Sequence, residues 1–107
     1  MNIYILKKSL SDLKNPIIKK EYETNSSNVK EFIKEMVIKN YNKNIKDSID
    51  ECINLAIDEF IDGSYYIVNK TKNIKYENIL DELKIDEFDE IILIKLNMLE
   101  VSYGKCR

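Results

Sequence analysis

The sequence predicts a single α+β domain built on a mixed sheet of four to five strands, and three observations carry that expectation. Two short β-prone runs open the chain, two stretches of helical apolar periodicity fill its middle, and Gly63 to Leu99 holds strand-like runs around an acidic turn. The 107 residues are 44% hydrophobic and 34% charged. A chain of this length buries roughly two thirds of its unfolded surface, so it can form one packed core without staples. No repeat, linker or low-complexity segment divides it, and one domain is expected over 1–107.

Asn2 to Lys8 alternates Ile3 and Ile5 with Tyr4 and Leu6. Both faces of this strand are apolar, which places it inside a sheet. Ser9 to Pro16 carries the turn residues Ser11, Asp12, Asn15 and Pro16, and IIKKEYET then reads as the exposed second strand of a hairpin. Asn28 and Glu31 stand at capping-box spacing, and Val29, Phe32, Ile33, Met36, Val37 and Tyr41 share a helical stripe that the asparagines of NYNKN end. Ser48 and Glu51 repeat the capping signature ahead of Ile49, Cys52, Ile53, Ala56, Ile57 and Phe60, with Gly63 at the C-cap position. SYYIVN then reads as a strand, NKTKN as a turn and IKYEN as a short strand. LDELKIDEFDE crosses to a last strand, Phe88 to Leu96, with Ile92, Ile94 and Leu96 on one face and Ile91 and Leu93 on the other.

Composition removes several function classes. The basic residues are almost all lysine, with Arg107 the only arginine, and isoleucine and asparagine are abundant, a bias that coding in an AT-rich genome produces. A net charge of −2 sets up no global field for nucleic acid. Guanidinium forks suited to phosphate or guanine are missing outside the C-terminus, so no nucleic-acid partner is expected. Histidine is absent, and Cys52 and Cys106 lie far apart without CxxC spacing. The usual zinc sets and histidine-based acid–base catalysis are therefore excluded; no catalytic residue, metal or cofactor is assigned, and no enzymatic activity is expected. Cys52 falls on the apolar stripe of the second helix and reads as a small buried hydrophobe. The apolar run in MNIYILKKSLSD is too short for a signal sequence or a membrane span. A cytoplasmic chain with reduced thiols and no membrane partner is expected.

Asp81, Glu82, Asp86, Glu87, Asp89 and Glu90 form the densest charge feature. Carboxylates suit a hard cation, but the spacing is not that of an EF-hand loop, and the group reads as a solvated acidic edge able to select a basic partner. Lys19 and Lys20 read as edge-strand lysines that discourage sheet-to-sheet pairing, while Lys7 and Lys8 carry either that role or a basic strip. Seven tyrosines, among them Tyr4, Tyr65, Tyr66, Tyr76 and Tyr103 near strands, fit core packing for the most part. If both helices cover the face bearing Ile3, Ile5, Ile92 and Ile94, then Tyr4, Leu6, Ile91 and Leu93 form an uncovered apolar patch. That patch is the candidate interaction face, with Asp86, Glu87, Asp89 and Glu90 as its acidic flank. A loop or a homodimer partner is the competing cover.

MNIYIL, EYET followed by NVKEFIKEMV, and YYIVNKTKNI leading through FDEIILIKL resemble the ubiquitin-like β-grasp superfamily. Among its members the likeness is to the sulfur carriers, the small subunit of molybdopterin synthase and the thiamine-pathway carrier. Ile67, Val68 and Asn69 match the carriers' strand ending in asparagine, and Asp89 and Glu90 match their acidic turn. AIDEFIDGSYYIVN and IKLNML are also similar to a group of small uncharacterised bacterial proteins of β-grasp pattern. The resemblance implies a β-grasp domain with an N-terminal hairpin, two helices and a β-rich C-terminal part. The carriers end in Gly-Gly, whereas this chain ends Tyr103, Gly104, Lys105, Cys106, Arg107, so carrier chemistry does not transfer with the fold. The expected function is a non-enzymatic protein–protein interaction module. The alternatives are a small inhibitor of the immunity-protein, antitoxin or phage-antagonist type, and a divergent sulfur carrier.

Overall fold

A computed structural model of the chain describes residues 1–9, 18–41 and 47–95. Its elements are β1 (Asn2–Ser9), β2 (Ile18–Glu23), α1 (Val29–Asn40), α2 (Ile49–Asp62), β3 (Tyr65–Asn69), β4 (Ile74–Lys75) and β5 (Glu90–Lys95). The five strands form one mixed sheet in the order β2-β1-β5-β3-β4, with β1 parallel to β5 and the remaining neighbours antiparallel. The α+β class, the pair of helices and the internal positions of β1 and β5 match the sequence expectation. The turn expected over 9–16, Leu96, Tyr103 and Cys106 fall wholly or largely outside the described residues.

Local signals set the helices. The Asn28 side chain accepts from the Glu31 backbone N–H at 2.8 Å, and the Glu31 carboxylate reaches back to the Ser27 N–H and hydroxyl. The first two N–H groups of α1, on Val29 and Lys30, donate to the carbonyls of Asp81 and Ile79, which anchors the segment after β4 on the helix start. Ser48 caps α2 through the Glu51 N–H at 3.1 Å, and Gly63 ends it with φ 87°, a left-handed cap that a β-carbon would strain.

Both helices lie on one side of the sheet. Phe32, Ile33 and Met36 of α1 and Ala56 and Phe60 of α2 share one cluster with Ile3, Ile5, Ile67, Ile91 and Leu93. Each fully buried side chain of this kind contributes about 2 kcal/mol relative to exposure. Cys52 is buried on the same helix stripe, as expected, whereas Ile49 at its start and Ile38 on α1 are exposed.

Two expectations are corrected. The last strand begins at Glu90, because Phe88 has φ 63° and belongs to the preceding turn. The face assignment of that strand is inverted: Ile5 stands opposite Ile91 and Lys7 opposite Leu93, so Ile91 and Leu93, 1% and 8% exposed, lie with Ile3 and Ile5 beneath the helices. Ile92 and Ile94 occupy the other face. Among the described residues no helix is long and apolar enough to cross a membrane.

Candidate functional site

The face of the sheet opposite the helices is the candidate site. Register places on it Tyr4 and Leu6 of β1, Ile92 and Ile94 of β5, and Tyr66 and Val68 of β3. Leu6 is 5% exposed and the other five are half-buried. No described element packs across this apolar band, since the helices bury their apolar stripes on the opposite face. Successive strand residues point to opposite sides, so two-sided apolar strands necessarily leave such a band when helices cover one side only.

Charged groups frame the band. Lys19 of β2 places its ammonium 4.4 Å from the Tyr4 ring centroid and 2.8 Å from the Glu90 carboxylate, and Lys70 approaches the same carboxylate at 3.7 Å. The hydrogen bond from Lys19 holds the Glu90 carboxyl below its ordinary pKa, and the same bond raises that of Lys19. On the far margin, Lys75 of β4 sits 4.3 Å from the Tyr66 ring. Phe88, 52% exposed, stacks on Tyr4 with centroids 5.8 Å apart and extends the aromatic surface at one end. Glu21 and Glu23 of β2, paired with Tyr4 and Asn2, stand exposed on the same side. The arrangement is an apolar strip bordered by charges of both signs, with Lys19, Glu21 and Glu23 on β2, Glu90 at the start of β5 between Lys19 and Lys70, and Lys75 on β4.

The structure divides the residues expected to make this face. Tyr4 and Leu6 lie on it, while Ile91 and Leu93 face the helices. Ile92, Ile94, Tyr66 and Val68 take the vacant places. Glu90-Ile-Ile-Leu-Ile-Lys95 carries isoleucine on both sides, so its periodicity gives no phase, and Tyr65 to Val68 has the same ambiguity.

The expected acidic flank is likewise divided. Glu90 is tied to two lysines, Glu87 accepts from the Asn2 N–H, and Asp86 pairs with Lys72 at 2.6 Å. Asp89 is 3% exposed and presents no charge to a partner. Its carboxylate accepts from the Asn69 side chain at 2.9 Å and from the Asp86 N–H at 3.0 Å, with the Lys72 ammonium at 3.5 Å. Asn69 also accepts from the Lys72 N–H, and the Tyr76 hydroxyl donates to the Leu83 carbonyl. These bonds clasp the β3–β4 turn to the segment before β5, so Asn69 and Asp89 have a structural role. Among the described residues no three histidine, cysteine or acidic side chains gather as a metal set.

A shallow groove of about 350 Å³ beside α1 is lined by Glu31, Lys34, Glu35, Ile38 and Lys39 with Asn25 and Ser26. Its acids are engaged locally: Glu35 accepts from the Thr24 and Ser26 hydroxyls, and Glu31 from Ser27. The Lys39 ammonium lies 4.5 Å from the Tyr22 ring. These contacts describe the junction between β2 and α1 and do not assemble a binding site. Compared with protein-family models, curated proteins and solved structures, the chain matches none.

Proposed function

We propose that this chain is a non-enzymatic protein–protein interaction module of ubiquitin-like β-grasp fold, acting in the cytoplasm through the face of its sheet opposite α1 and α2. The observation that carries the reading is the continuous half-buried band of Tyr4, Ile92, Ile94, Tyr66 and Val68 on the side opposite both helices. Contiguous apolar surface rimmed by charge marks association sites, and tyrosine is enriched there because it joins apolar area to a polar tip. The β-grasp reading is supported by the parallel pairing of first and last strands, with the hairpin on one flank and β3 and β4 on the other.

Affinity capture from lysate of the source organism, with wild type and a folded Ile92→Asp variant as bait, tests the reading. The expected result is partners held by wild type and lost from the variant. Identical capture by both baits would contradict it.

A further inference from the structure

We draw no further inference here: the strongest candidate, the apolar band of Tyr4, Ile92, Ile94, Tyr66 and Val68 on the face of the sheet opposite α1 and α2, belongs to the site already described, and with Leu6 buried at its middle and Glu90 held between Lys19 and Lys70 nothing in the structure shows what covers it.

Discussion

Asp89 shows how one side chain is held against its own desolvation. Burial pushes its carboxyl pKa up, but the Asn69 amide, the Asp86 N–H and the Lys72 ammonium together outweigh that effect and leave it below the ordinary carboxylate value. Because the folded pKa lies below the unfolded one, the stabilisation is complete above about pH 4 and is lost as pH falls through the depressed value. Asp89→Asn removes the charge while keeping the shape. Urea denaturation is expected to show a loss of about 1–3 kcal/mol at pH 7 and a flatter stability profile between about pH 5 and pH 2. Tyr22 presents the opposite case: its hydroxyl is buried with no hydrogen-bond partner, and burial, aided by the nearby Glu35 charge, raises its pKa. Tyr22→Phe removes an unsatisfied group and keeps the ring against Lys39. Thermal denaturation is expected to show stability unchanged or raised by about 1 kcal/mol.

At the scale of elements, what could be read from the chain depended on how far each signal reaches. Asn28, Ser48 and Gly63 were legible as caps because each acts on backbone within a few residues of itself. The phase of β5 was not, because Ile91 and Ile92 are equally apolar and the choice between them is made by pairing with Ile5, far away in sequence. Asp89 read as a surface acid for the same reason: Asn69, which buries its charge acceptably, is 20 residues away. Ladder phase in β2 yields a sharper consequence. Met1 and Thr24 exchange hydrogen bonds, while the Tyr4 N–H turns instead to the Asp89 carbonyl. Antiparallel pairs alternate, so Lys20 bonds to β1 and the Glu21 N–H points outward from the sheet edge. Lys20→Pro is therefore expected to cost about 3 kcal/mol or more, and Glu21→Pro about 1 kcal/mol, measured as a shift in urea midpoint; equal losses would contradict the assigned ladder.

For the whole molecule, the governing feature is that both helices pack on one side of a sheet whose central strands are apolar on two. The helix side supplies the core and accounts for stability. The other side carries aromatic and branched side chains among charges of both signs, and the interaction reading rests on that asymmetry. The sequence suggested a second apolar face, and Tyr4 and Leu6 do lie on the side of the sheet opposite α1 and α2. It exchanged Ile91 and Leu93 for Ile92 and Ile94, a slip of one residue that moves a strand's entire apolar set to the opposite side. Function and stability should therefore separate between two adjacent residues. The most direct measurement compares Ile92→Asp with Leu93→Asp in urea denaturation and in partner capture. The account predicts that Leu93→Asp, which buries a charge in the core beneath the helices, loses about 4 kcal/mol or more and unfolds, whereas Ile92→Asp stays folded and loses association. A folded Leu93→Asp protein that no longer associates, beside an Ile92→Asp protein that unfolds, would contradict the face assignment and the function drawn from it.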